Sequence, residues 1–128
     1  MRWSEEKSYF LCAVMFFTRI PVQLATPYSE FALNKSRKYF PFIGVIIGSI
    51  AAICIYLLQL FLPLSLAVIL STVITILATG AFHEDGFADT CDGFGGGWDK
   101  IQVLTIMKDS RIGSYGTVGL IMMLGLKL

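Results

Sequence analysis

The chain has 128 residues, of which 55% are hydrophobic and 15% charged, with a formal net charge of +1. A soluble domain of this size carries about 25% charged residues, and the deficit sits in one block: from Tyr39 to Phe82, 44 residues, no side chain is charged. That block points to membrane spans and against a soluble core, while the near-neutral balance and the lack of a basic stripe among the aromatics argue against nucleic-acid binding.

Residues 1–40 alternate apolar and basic character. Ser8 to Phe17 forms a short helix, ended or bent by Thr18-Arg19-Ile20-Pro21, because proline disfavours helix at the preceding residue. Two placements fit it: an interfacial helix lying on the membrane, or a segment re-entrant or buried against other helices. Residues 41–62 are apolar or small and long enough to cross the ~30 Å hydrocarbon core at ~1.5 Å per residue. Pro41 suits the first turn of that helix, and Gly44 and Gly48 offer a face on which another helix can approach. Residues 64–82 form a second span, joined to the first by a tight turn at Pro63. Thr72, Thr75 and Thr79 share one of its faces, bonding to a neighbour or to their own backbone.

Residues 83–111 are polar, broken by Gly93 and Gly95-Gly96-Gly97, with a short amphipathic helix from Trp98 to Lys108. From residue 112 to 128 the sequence turns apolar again, with Gly113, Gly116 and Gly119 at threefold spacing. This is the expected start of a third span, cut off at Leu128, which predicts an incomplete chain. The fold class is therefore all-α, a polytopic transmembrane helical protein forming a single membrane domain. Arg2, Lys7, Arg19, Lys35, Arg37 and Lys38 all precede the first span, so the positive-inside rule puts that end, and after two crossings the polar segment, in the cytoplasm. Cys12, Cys54 and Cys91 have neither disulfide nor zinc spacing.

The chemistry concentrates in His83-Glu84-Asp85-Gly86-Phe87-Ala88-Asp89-Thr90-Cys91-Asp92-Gly93, where four carboxylates fall within nine positions. Carboxylates at a bilayer boundary need a compensating cation, partner or water. If the second span continues as helix through Asp92, then Asp85, Asp89 and Asp92 fall within roughly 60° of one another, with Glu84 reaching in from the edge. Such a set suits magnesium, which takes one or two carboxylates, waters and substrate phosphates. In Lys108-Asp109-Ser110-Arg111, Lys108 and Arg111 are natural phosphate ligands and Asp109 a further metal ligand; the same residues equally suit a basic flank before a span. His83 projects away from Asp85, and no nucleophilic set is evident. Metal-assisted phosphoryl transfer is the chemistry indicated.

At these residues the chain resembles a known family. Phe17-Thr18-Arg19-Ile20-Pro21, Tyr39-Phe40-Pro41-Phe42-Ile43-Gly44, the acidic segment through Phe94, and Met107-Lys108-Asp109-Ser110-Arg111-Ile112-Gly113-Ser114-Tyr115-Gly116 occur in the order found in cobalamin synthase, the adenosylcobinamide-GDP ribazoletransferases. The resemblance implies a multi-pass enzyme of the prokaryotic inner membrane that joins adenosylcobinamide-GDP to α-ribazole, or its 5′-phosphate, and releases GMP with Mg2+. Magnesium on Asp85, Asp89, Asp92 and Glu84, with Glu84 alternatively a general base, and phosphate on Lys108 and Arg111 would fit that chemistry. Members are about twice this long, so the resemblance implies a missing C-terminal half and a chain inactive alone. A protein this apolar, bathed in membrane lipid, can also sit in an assembly with other late cobalamin enzymes.

Two rivals remain open at this stage. A CDP-alcohol phosphotransferase also gathers aspartates and magnesium at a helix end, but its pattern has Ala-Arg where Ala88 is followed by Asp89. A divalent-cation transporter subunit would place its carboxylates nearer mid-membrane.

Overall fold

A computed structural model describes residues 2–23 and 29–127, without the side chain of Arg2. Of the N-terminal region 1–40, residues 1 and 24–28 lie outside the described residues, as does residue 128 of the expected third span. The described residues form helices and no strand: α1 Arg2–Phe17, α2 Glu30–Ser36, α3 Phe40–Leu58, α4 Leu64–Thr79, α5 Phe82–Gly96, α6 Lys100–Ile106 and α7 Ser114–Gly125, with a 3-10 turn at Arg37–Tyr39. The chain packs as two compact units, Met1–Gly80 and Ala81–Leu128.

In the first unit, α1 begins earlier than Ser8 and ends at Phe17, where the Thr18 side chain and backbone both bond to the Val14 carbonyl. Its inner face carries Ala13 and Val14, which pack with Ile43 of α3 into a small core flanked by Phe10, Phe17 and Tyr39. Glu6 ties this helix to Lys38 at 2.5 Å and to the Tyr39 hydroxyl.

Ser29 caps α2, accepting from Ala32 N–H at 3.1 Å. From there the helical run Glu30–Leu58, 29 residues, contains an 18-residue stretch with a mean hydropathy of 2.4 and is long and apolar enough to cross a membrane. It starts well before residue 41 and ends before 62, so the apolar boundary and the helix boundary do not coincide. Pro41 lies in the first turn of α3, as its missing N–H requires.

The second expected span, 64–82, is shortened. Gly80 adopts φ 66 and Ala81 φ 60, both left-handed, and α4 stops at Thr79 after 16 residues. Glycine takes that conformation without steric cost and here ends the helix as a left-handed cap. Arg19 seals the end: its N–H donates to the Ala78 carbonyl at 2.7 Å, and its side chain lies where a Cβ at residue 80 would sit.

Gly44 and Gly48 do not mediate helix approach among the described residues; a Cβ on either meets nothing within 4 Å. Ala67 and Ser71 of α4 are buried instead, and the Ser71 hydroxyl donates to the Ala51 carbonyl of α3 at 3.1 Å. Thr75 and Thr79 bond to their own helix.

Candidate functional site

The second unit carries the acidic and basic motifs together. α5 runs unbroken through Gly93, Gly95 and Gly96 and stops at Gly97, so the expected glycine break comes later than the sequence suggests. Asp99 caps α6, accepting from Ile101 and Gln102 N–H at 2.8 and 2.9 Å. α6 starts later than the expected 98–108 helix because Asp99 is spent on its cap, and it ends at Ile106. The residues between α6 and α7, Met107 to Gly113, form the basic loop.

Asp85, Asp89 and Asp92 follow one another by four and three residues along α5, and so share a face. Their surroundings differ. Asp92 is 8% exposed, and each of its oxygens takes a backbone donor: Oδ2 accepts from Gly113 N–H at 2.7 Å, Oδ1 from Gly116 N–H at 2.8 Å. Both glycines are needed for this approach. A Cβ at residue 116 would collide with the Asp92 carboxylate and lie 2.9 Å from the Ala88 carbonyl oxygen; one at 113 would lie 2.8 Å from Asp92 Cγ.

Asp85 and Asp89 instead line a cavity of about 300 Å3 with Lys108, Asp109, Ser110 and Arg111. A neighbouring cavity of about 440 Å3 shares Asp109 and Arg111 and is bounded by Asp92 and Tyr115. Arg111 and Asp109 pair in a fork: Nε donates to Oδ1 and Oδ2 at 3.1 and 3.2 Å, Nη2 to Oδ2 at 2.6 Å, and Arg111 N–H to Oδ1 at 3.1 Å. The guanidinium holds the Asp109 carboxyl down at about 2 and is itself raised by the carboxylate.

Glu84 lies apart from both cavities. Its Oε1 is 3.7 Å from Lys127 Nζ, and its Oε2 is buried with no hydrogen-bond partner among the described residues. The four expected metal ligands, Glu84, Asp85, Asp89 and Asp92, are thus not brought to one point. Among the described residues no three His, Cys, Asp or Glu side chains are grouped to hold a metal ion. Asp85 and Asp89 on one cavity nevertheless offer hard oxygen donors, while both Asp109 oxygens are taken by Arg111. Magnesium binds through one or two carboxylates completed by water and substrate phosphate, so this donor set fits it.

Two features of the site are not visible in the motifs. The threefold spacing of Gly113 and Gly116 points to a span, not to a carboxylate on another helix. The Asp109–Arg111 fork is hidden because both residues suit separate ligands.

The chain matches the family described as cobalamin-5-phosphate synthase over residues 9–128. The adenosylcobinamide-GDP ribazoletransferase of Shewanella amazonensis is 50% identical over 125 residues, 98% of this chain and 48% of the relative. The proteins of that name from Leptospira interrogans and Shewanella frigidimarina are 49% identical over 123 residues (96% and 46%) and 50% over 127 residues (99% and 49%). The chain therefore spans about half the length of the curated relatives it matches. No solved structure matches it. With all but the first eight residues inside the match and both polar motifs within it, the chain belongs to the cobalamin-5-phosphate synthase family.

Proposed function

We propose that the protein of which this sequence forms part or all is an adenosylcobinamide-GDP ribazoletransferase of the inner membrane, with α5 and the α6–α7 loop facing the cytoplasm. The observation that carries this is the cavity on which two carboxylates of α5 meet Lys108, Asp109 and Arg111, within a chain of this family. Membership of that family disfavours the CDP-alcohol phosphotransferase and transporter alternatives.

In the reaction, a hydroxyl oxygen of α-ribazole, or of its 5′-phosphate, bonds to the cobinamide-side phosphorus of adenosylcobinamide-GDP. The bond from that phosphorus to the bridging oxygen breaks, GMP leaves with the bridging oxygen, and the hydroxyl proton is released. Asp85 and Asp89 would hold magnesium against the pyrophosphate. The chemistry such an ion would supply there is to offset charge on the departing phosphate. Arg111 presents a planar fork that suits two phosphate oxygens, and Lys108 adds a mobile point charge. Asp109 keeps that fork oriented while the cavity is free of phosphate. Glu84 is assigned no chemical step, since it lines neither cavity.

The test is GMP release by membranes carrying the complete reading frame, supplied with adenosylcobinamide-GDP, α-ribazole and magnesium. Release that requires all three supports the assignment. No release from protein that is expressed and inserted, or release indifferent to α-ribazole, overturns it.

A further inference from the structure

A helix N-terminus leaves donors without intrahelical partners. One common solution is the capping box, in which the N-cap side chain accepts from the N–H of the third helical residue, and that residue's side chain reaches back to the N-cap N–H. In α7 the N-cap is Gly113 and the third helical residue is Gly116. Neither has a side chain. Asp92 of α5 accepts from both of those N–H groups, one on each oxygen, and so performs both halves of the box from another helix.

We infer that Asp92 is a positioning residue: it docks the start of α7 onto α5 and thereby fixes the C-terminal end of the Lys108–Ile112 loop opposite Asp85 and Asp89. Three observations converge. Asp92 is buried while Asp85 on the same face is exposed. Both of its oxygens are engaged, at 2.7 and 2.8 Å. The two residues it caps are those at which a Cβ would occupy the volume of its carboxylate. A negative charge at that end of α7 is also favoured by the helix dipole. Asp92 thus differs in kind from Asp85 and Asp89, although the sequence spaces the three alike. The effect on rate rests on the transferase reaction proposed above; the docking role does not.

The geometry supplies its own rescue. Removing the Asp92 carboxylate vacates the space into which a Cβ at residue 113 would project. Serine is a favoured N-cap residue, and its neutral hydroxyl supplies none of the charge that a carboxylate brings to a metal ion. The experiment compares the complete protein in nanodiscs as wild type, Asp92→Ala, Gly113→Ser and the double variant Asp92→Ala/Gly113→Ser, reading amide hydrogen exchange at residues 113–117, Mn2+ binding and GMP release. Asp92→Ala should speed exchange at Gly116 by about tenfold or more. Gly113→Ser should also be impaired, because its Cβ meets the carboxylate. The double variant should recover protection, folded yield and GMP release relative to either single change, and should bind Mn2+ as the wild type does.

Unchanged exchange in Asp92→Ala would overturn the docking role. So would a double variant that recovers nothing, whether it folds poorly or folds and fails to bind Mn2+. If wild type releases no GMP while the exchange pattern follows the prediction, the transferase assignment fails and the docking role stands.

Discussion

The α3–α4 pair and the α5–α7 pair bring helices together by different means. In the first unit the contact is made by small residues, Ala67 and Ser71, and the Ser71 hydroxyl bonds across it to the Ala51 carbonyl. No charge takes part, and Gly44 and Gly48 face open space. In the second unit α7 lies so close to α5 that a Cβ at Gly116 meets Asp92 and one at Gly119 meets the Cys91 sulfur at 2.6 Å. A buried carboxylate fixes the register. Apolar packing is nondirectional and tolerates adjustment, whereas a carboxylate bonded to two chosen N–H groups does not. Six of the nine carboxylates, with Lys108 and Arg111, are carried on the second kind of scaffold.

The widest gap between the two should come from adding one methyl group. Gly116→Ala forces a Cβ into the Asp92 carboxylate and towards the Ala88 carbonyl, so a loss of about 1–3 kcal/mol is expected from overpacking. Gly48→Ala meets nothing within 4 Å and should be neutral or stabilising by roughly 0.5–1 kcal/mol, because glycine costs that much in a helix interior. Thermal unfolding in detergent reads both. Equal effects would erase the contrast between the units.

A smaller effect is expected at Ser71→Ala. It removes the bond to Ala51 but leaves an accepting carbonyl that its own helix also serves, so the loss should be about 0.6 kcal/mol, typical of interhelical bonds in membrane proteins. A loss approaching that of Gly116→Ala would mean that the first unit is also specified by polar contacts.

The smallest effect on stability concerns the Asp109–Arg111 pair, which is solvent-exposed and screened. Its pKa is nonetheless distinctive. The Asp109 carboxyl lies at about 2, below the ordinary aspartate value of about 3.9. A depressed carboxylate contributes stability that is full above the ordinary value and lost as pH falls through about 2. The 13C carboxyl shift of Asp109 should therefore titrate near 2, and Arg111→Gln should return it towards about 4. A titration at the ordinary value in the parent protein would remove the fork that is proposed to preorganise Arg111.

The sequence made the helical class, the long apolar helix and the two polar motifs legible, because uninterrupted hydropathy and clustered charge are local signals. Helix limits were less so. Nothing in the apolar composition of residues 64–82 distinguishes Gly80 as a left-handed stop, since glycine is equally tolerated within apolar helices. The run Gly93–Gly97 read as a break, yet most of it is helical. The site was half legible. Spacing put Asp85, Asp89 and Asp92 on one face, but a helical wheel does not show what stands opposite that face. For Asp92 it is two N–H groups more than twenty residues away; for Asp85 and Asp89 it is the loop with Lys108 and Arg111. A helical wheel puts Glu84 at the edge of that face, but it does not show that Lys127 stands 3.7 Å from it.

The central claim is that the chemistry belongs to the second unit and runs through the cavity of Asp85 and Asp89. The most direct measurement is magnesium-dependent GMP release from adenosylcobinamide-GDP and α-ribazole by membranes carrying the complete reading frame, compared for wild type, Asp89→Asn and Ser71→Ala at matched expression. Asp89→Asn should lose at least about a hundredfold, the scale expected when one electrostatic partner of the transition state is removed, while Ser71→Ala stays close to wild type. An Asp89→Asn protein that releases GMP at the wild-type rate with the same magnesium dependence would contradict the account.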